Sequence, residues 1–500
     1  MDNSDSLKEA LRLHRAEDFA GAEKIYHEFL RAEPDHVVVL SSLGAALFAQ
    51  EKAGEGIVPL KQATELQPDY APAHITLAEC YVAEGRVDEA VVSYSTGLKF
   101  APDSLPGKIA FGDLLFREFR INESYDVFLS ALALEPENGA IIAKVAMAEF
   151  FLGRLKEAEN GFRQAIELAP KLAQPHWFLS HILLLNERFE EGWAEFDWRW
   201  ALTKRQPPEA QIRKPIWDGT NLEGQKILLW GEQGIGDEML FSTCIPDLLE
   251  RKNPDGCVLV CDQRMAGLYR RSFPSLEVLE VDKSAGMTWD SSAVDFDVQI
   301  SIGALPTYLR RSIDEFPSHA QHYVADAEKT LKWRRRLDAL GTGPKIGVAW
   351  RGGFEARTRL SKSTDLMMWE KVLSVPGAQF INVQYGERST DIARLKDETG
   401  VVVHDWDDFD PIADPDEQIA QISCLDLVIQ VSNASVHMAG VLGVPVWNLI
   451  PFIPEWRWSI NRDYSIWYPN MRLFRQPEQD GWVPLLKRVE VALRAYMEAR

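Results

Sequence analysis

The segment Lys226-Ile-Leu-Leu-Trp-Gly-Glu-Gln-Gly-Ile-Gly-Asp237 decides how the later part of the chain folds. An apolar run of strand type ends in three closely spaced glycines, 231, 234 and 236. The stretch Glu238-Met-Leu-Phe-Ser-Thr-Cys-Ile-Pro-Asp-Leu-Leu249 follows with helical periodicity. Strand, glycine turn and helix in that order form the unit of a parallel α/β sheet. Glycine lets the backbone turn tightly and approach a ligand, while the first N–H groups of the next helix attract anions. The loop lacks the Gly-Lys-Ser/Thr ending of an NTPase P-loop, and acidic Asp237 and Glu238 sit at the helix start. Its ligand must therefore be argued from the surrounding segments.

Downstream, β-rich apolar runs alternate with helical stretches. The runs are 226–230, 257–261, 276–281, 296–301, 345–350, 378–384, 401–405, 425–431 and 444–450. This alternation predicts two α/β halves with parallel sheets, over 225–325 and 344–480. A polar helix within 326–343 joins them, and its Arg334-Arg-Arg336 reads as a solvated face. A last helix, 481–500, is expected to cross back as a clamp. Pro451-Phe-Ile-Pro-Glu-Trp-Arg-Trp458 and Trp467-Tyr-Pro469 read as bulky packing between the halves, with Arg457 able to join a phosphate site.

Upstream the grammar differs. Pro34, Pro68, Pro102, Pro136 and Pro170 recur every 34 residues. Small side chains hold two further phases: Ala10, Gly44, Ala78, Gly112 and Ala146, then Ala22, Gly56, Ala90, Ser124 and Ala158. Small residues let paired helices cross closely, and proline ends the second helix of each unit. Period and spacing identify tetratricopeptide (TPR) repeats over 1–203, five complete and a partial sixth. In the sixth, Ser180 and Gly192 keep phase but Lys204 stands where proline is expected. Such arrays are α-solenoids that hold a peptide or protein partner. The proline- and glycine-containing stretch 204–224 reads as a linker. The fold class is thus α plus α/β: a TPR α-solenoid followed by two α/β halves built on parallel sheets.

The 500 residues carry a net charge of −21, which argues against general affinity for nucleic acid or anionic membrane. Met1-Asp-Asn-Ser-Asp-Ser is unlike a secretory signal, and no apolar run approaches about 18 residues, so no transmembrane segment is expected. Five scattered cysteines suit buried thiols in a reducing cytoplasm. Cys257 and Cys261 share one strand and lie roughly 13 Å apart, too far to share a metal.

Three further strand ends carry candidate chemistry. After Ile346-Gly-Val-Ala-Trp-Arg-Gly-Gly353, the cations Arg351, Arg357, Arg359 and Lys362 suit a diphosphate or phosphate leaving group. Phe380-Ile-Asn-Val-Gln-Tyr-Gly386 ends at a glycine turn where Gln384 could meet a base or ribose, or simply shape the turn. Leu425-Asp-Leu-Val-Ile-Gln-Val-Ser-Asn-Ala-Ser-Val-His437 opens a short helix, with Ser432 or Asn433 as N-cap and Gly443 as its C′ residue. Its first N–H groups and the Ser435 hydroxyl form an anion site, with His437 one turn further in. A lone helical histidine packs at least as often as it functions.

Gly-Glu-Gln-Gly-Ile-Gly-Asp237, Gly347-Val-Ala-Trp-Arg-Gly352, Val383-Gln-Tyr-Gly386 and His437-Met-Ala-Gly-Val-Leu-Gly443 occur in this order. The set resembles GT-B glycosyltransferases related to the lipopolysaccharide heptosyltransferases. It is similar to bacterial TPR-fused members, some associated with flagellin or protein glycosylation. The resemblance implies a GT-B-like pair of Rossmann-type domains and a transferase with a nucleotide-sugar donor and no other cofactor, and the cation set would remove the need for a metal. It places Asp237 as general base and His437 beside the donor phosphates. It also departs from the pattern: Ser432 stands where an acidic residue is expected, and Asn433 where threonine is. The expected donor cleft comprises Gly234, Gly236, Arg351, Arg357, Arg359, Lys362, Gln384, Ser432, Asn433 and Ser435. A protein acceptor held in the TPR groove is expected, with flagellin implied by resemblance alone. Asp237 read blandly is a helix cap worth roughly 1 kcal/mol. A non-catalytic TPR adaptor with a ligand-binding GT-B module is the alternative. A dinucleotide oxidoreductase fits less well, because Glu232, Asp237 and Glu238 would surround the pyrophosphate with negative charge.

Overall fold

A computed structural model describes residues 3–202, 212–283, 294–318, 323–353, 362–479 and 481–500. The chain forms two compact units, Met1–Leu172 and Ala173–Arg500.

The first unit consists of antiparallel helix pairs. They are α1 (Asn3–Arg15) with α2 (Phe19–Ala32), α3 (Val37–Ala49) with α4 (Ala53–Leu66), and α5 (Ala71–Ala83) with α6 (Val87–Phe100). Then come α7 (Leu105–Arg117) with α8 (Ile121–Leu132), and α9 (Gly139–Phe151) with α10 (Leu155–Leu168). The small-residue phases lie where partners cross: Ala10, Ala22, Ala78, Ala90, Ser124, Ala146 and Ala158 are fully buried. Gly44 shows why. A Cβ there would stand 2.3 Å from the Leu60 side chain of α4.

A third phase becomes visible in the backbone. Glu17, Glu51, Gly85, Phe119, Gly153 and, in the second unit, Glu187 all have φ between 60° and 77°. Each ends the first helix of its pair in the left-handed region. The following amide closes back five residues, as in Lys52 N to Leu47 O (3.0 Å) and Arg86 N to Tyr81 O (2.8 Å). Four of the six are not glycine, so the turn is imposed by the packed pair against local preference.

The second unit begins with α11 (Ala173–Leu185) and α12 (Phe189–Phe196), the sixth repeat's pair, then α13 (Arg199–Leu202). Two wholly parallel sheets follow. The first holds β1 (Lys226–Trp230), β2 (Gly256–Asp262), β3 (Glu277–Val281) and β4 (Val298–Ser301), in the order β3-β2-β1-β4. The second holds β5 (Lys345–Ala349), β6 (Gln379–Asn382), β7 (Leu427–Val431), β8 (Val446–Ile450) and β9 (Met471–Arg475), in the order β6-β5-β7-β8-β9. Strands β1, β2, β5 and β7 are buried almost throughout, as strands covered on both faces must be.

Three expectations change. The run 401–405 makes only one bridge, His404 to Ile381. The fifth strand of that sheet is instead β9, Met-Arg-Leu-Phe-Arg, whose two arginines suit an edge position. The final helix, Trp482–Glu498, buries Leu485, Leu486, Val489 and Leu493 in the core of the second half itself. The joining helix, Ala327–Asp338, is not merely solvated: Arg336 binds Asp408 and Lys332 binds Glu417.

One hydrophobic core runs from Leu184, Phe189, Trp193 and Phe196 through both α/β halves to Leu473. At its centre Trp456 meets Trp193 (5.5 Å), Phe196 (5.3 Å), Phe241 (5.9 Å, stacked) and Trp467 (6.1 Å). The aromatic segment is therefore packing between the halves, as its composition predicts. No helix among the described residues is long and apolar enough to cross a membrane.

Gly44→Ala is expected to destabilise the chain by about 1–3 kcal/mol through overpacking against Leu60. Glu51→Gly, which relieves a left-handed residue, is expected to be neutral or to stabilise by up to about 1 kcal/mol. Denaturant unfolding of the two variants against wild type checks both signs.

Candidate functional site

In open parallel sheets, ligands bind beyond the carboxyl ends of the strands where strand order reverses. For the first sheet that place lies between β1 and β4. It is filled by protein. Glu232, just after β1, receives the Arg199 guanidinium of α13 at 2.8 and 3.0 Å and the Ser301 hydroxyl, at the end of β4, at 2.7 Å. Arg199 and Glu232 are each about 95% buried. Where a dinucleotide fold seats its pyrophosphate, this chain seats an internal ion pair.

The loop then reaches Gly234, the N-cap of α14 (Ile235–Ser242). Gly236 lies on the face of α14 that meets the helix Ala434–Val441 of the other half. A Cβ at 236 would stand 3.1 Å from His437 Cδ2 and 3.4 Å from Ala434 Cα. The glycine thus serves close helix approach. It brings the first turn of α14, with Asp237, against the start of the second helix.

Asp237 Oδ1 accepts a hydrogen bond from Arg457 at 2.7 Å. Arg457 also lies 3.6 Å from Glu455, which Lys362 binds directly. These four side chains are 12–24% exposed. Burial raises the Asp237 carboxyl above its usual range, although Arg457 and Lys362 oppose it. Burial also acts to raise Glu455, but Lys362 and Arg457 outweigh it and hold that carboxyl well below the usual range. Two carboxylates in one cluster are therefore pushed apart, a pattern typical of acid–base sites.

His437 completes one wall. Its Nδ1 bonds the Tyr468 hydroxyl at 2.9 Å, and its ring stacks on Trp458 at 5.8 Å. Burial, then the nearby Arg457 charge, lowers its pKa to about 3, so the ring is neutral.

The other candidate residues divide. Lys362 joins the cluster. Asn433 is the N-cap of Ala434–Val441, accepting from Ser435 N at 2.9 Å and donating to Arg351 O at 3.1 Å. Arg351 itself turns away, to Asp391 and the Glu387 carbonyl. Gln384 is structural: its Oε1 accepts the Trp350 and Arg351 amides at 3.0 and 2.8 Å. Ser432 donates to Asn448, and the Ser435 hydroxyl to the Val383 carbonyl, so neither hydroxyl is held out for an anion as expected. Arg357 and Arg359 lie outside the described residues. Glu455 has a signal in retrospect, since Glu455 and Arg457 are the only charges in an aromatic stretch.

Because folded His437 stays neutral to about pH 3 while an unfolded histidine titrates near 6.5, the unfolded state binds the extra proton between those values. Stability is therefore full above about pH 6.5 and falls on acidification, by up to about 1.4 kcal/mol per pH unit for this group. Urea midpoints from pH 7 to pH 4 are expected to fall less steeply in His437→Gln than in wild type.

Tetratricopeptide repeat models match residues 47–106 and 141–172. Protein FlbA of Caulobacter vibrioides is 31% identical over 381 residues, which cover 73% of this chain and 63% of that protein. The chain thus spans somewhat less than two thirds of that relative's length. Similar solved structures include MamA protein (18% identical, TM-score 0.31, covering 34% of this chain and 94% of that one). Another is YrrB, described as a TPR protein with an unusual peptide-binding site (15% identical, TM-score 0.33, 36% and 92% covered). A third is a TPR protein from Thermus thermophilus (20% identical, TM-score 0.29, 36% and 99% covered). The helix pairs of the first unit are tetratricopeptide repeats, joined in one chain to a pair of parallel α/β sheets.

Proposed function

We propose that the second unit is a glycosyltransferase that moves a sugar from a nucleotide-activated donor to an acceptor hydroxyl. One observation carries this reading: α14 and Ala434–Val441, one from each α/β half, converge on the cluster Asp237, Arg457, Glu455, Lys362 and His437. Such a transfer needs cations for the departing phosphate and a basic group for the acceptor proton. Arg457 and Lys362 supply the first from within a partly buried setting where charge acts strongly. Asp237, its carboxyl raised by burial, is the candidate for the second. Neutral His437 offers a ring nitrogen, not a charge, to the donor. The TPR repeats of the first unit suit a protein acceptor, and the family resemblance makes flagellin the first to try.

A second reading is a binding module without catalysis. It is favoured by the Ser432 and Ser435 hydroxyls, which are committed to internal partners and not to a phosphate.

Isothermal titration with a panel of nucleotide sugars, followed by mass spectrometry of the products, separates the two. Binding with neither hydrolysis nor transfer supports the adaptor and sinks the enzyme. Under the transferase reading, Asp237→Asn and Arg457→Gln are each expected to lower turnover by about 10²-fold or more while the protein stays folded. Near-normal turnover in Asp237→Asn would remove that residue from the mechanism.

A further inference from the structure

In the first unit the first helices of successive pairs lie side by side, α3 against α5 and α5 against α7. An ion pair joins two of them further along: Lys144 of α9 binds Asp113 of α7 at 2.5 Å. These partners are 31 residues apart, three short of the repeat, so the same two positions recur between every pair of neighbours. One pair earlier they hold Glu79 and Ala110. Glu79 thus has a carboxylate where Asp113 has one, but no cation across from it. Among the described residues it makes no hydrogen bond or ion pair, although it is partly buried. Burial raises its carboxyl above the usual range, and no neighbouring cation offsets that rise. The surroundings are apolar. α3 carries no charged residue, and Glu79 is the only carboxylate or cation on α5, whose His74 is turned to the Pro68 carbonyl. On the same helix faces Val38 is 41% exposed, while Ala45, Phe48, Val82 and Ile109 are only partly buried.

We infer that Glu79 receives a lysine or arginine from an extended, otherwise apolar segment of a partner protein lying across α3, α5 and α7. Ala110 ends at its Cβ where Lys144 reaches across one pair later, so the cation missing from this chain comes from the partner. A carboxylate already half removed from water loses little further hydration when a cation covers it, and gains a charge-assisted hydrogen bond. Packed helices stand about 10 Å apart, a distance that three residues of extended chain span. Apolar side chains are therefore expected three positions from the cation on either side, one over α3 and one over α7. The net charge of −21 favours the approach of such a segment. The assignment concerns the first unit alone and holds whether the partner is an acceptor for transfer or the client of an adaptor.

The test uses the full chain and two pools of fluorescent heptapeptides that share a soluble Gly-Ser tail. In one pool Ala, Leu, Val or Phe surround a central lysine; in the other they surround its uncharged analogue norleucine. Anisotropy titration of wild type is expected to show about tenfold tighter binding of the lysine pool. Glu79→Gln is expected to bring the two pools within twofold of each other. Ala110→Lys keeps Glu79 but gives it an internal cation, as Lys144 does for Asp113. It is expected to abolish the preference equally, with an undiminished melting temperature. A preference that stays near tenfold in either folded variant overturns the assignment. So does wild type that binds neither pool, or binds both equally. Failure of nucleotide-sugar binding or transfer would sink the transferase reading and leave this assignment standing.

Discussion

The second unit depends on the burial of Trp456. Its ring touches α12, α14 and Trp467 at once, so the sixth helix pair, the first α/β half and the end of the second share one set of contacts. Removing a core aromatic of this kind costs about 3–5 kcal/mol. Here the same packing also fixes the positions of its neighbours Glu455 and Arg457. The charged cluster is aimed by an apolar anchor.

That anchoring explains how opposite charges can sit together in a partly buried setting. Arg457 lies over the Trp456 ring at 5.0 Å and reaches Asp237 in the other half. Each cation in the cluster faces a carboxylate, so the partly buried charge is balanced without a bound anion. The Arg199–Glu232 pair performs a related task at the first sheet, binding α13 to the ends of β1 and β4. The first sheet's switch point is thus closed by an internal pair, while the second charged cluster gathers where the halves meet.

The periodic parts of this architecture were legible in the sequence. The proline ladder and small-residue phases located the helix pairs, and β1 was read to the residue. Local helix ends were also readable: Gly443 has a φ of 73° after the helix it was expected to close. What escaped was set by long-range contact. Asp237 and Arg457 are 220 residues apart, and no spacing rule joins them. The hydroxyl of Ser435 reads as an anion ligand until the Val383 carbonyl is seen to occupy it. β9 was hidden because an edge strand of five residues with two arginines carries a weak apolar signal, whereas 401–405 carries a stronger one without a full ladder.

The left-handed turn that recurs every 34 residues has a consequence for how such a chain can change. Each pair needs its turn residue, its small crossing residues and its proline in fixed relation. Inserting or deleting part of a pair breaks all three registers together, whereas adding or removing a whole pair breaks none. The length of the repeat region is therefore quantised in steps of one pair. The sixth pair stands outside that freedom, since its Trp193 and Phe196 already belong to the core of the second unit. Evolution could vary the reach of the array on one side of that pair while the machinery on the other stayed fixed.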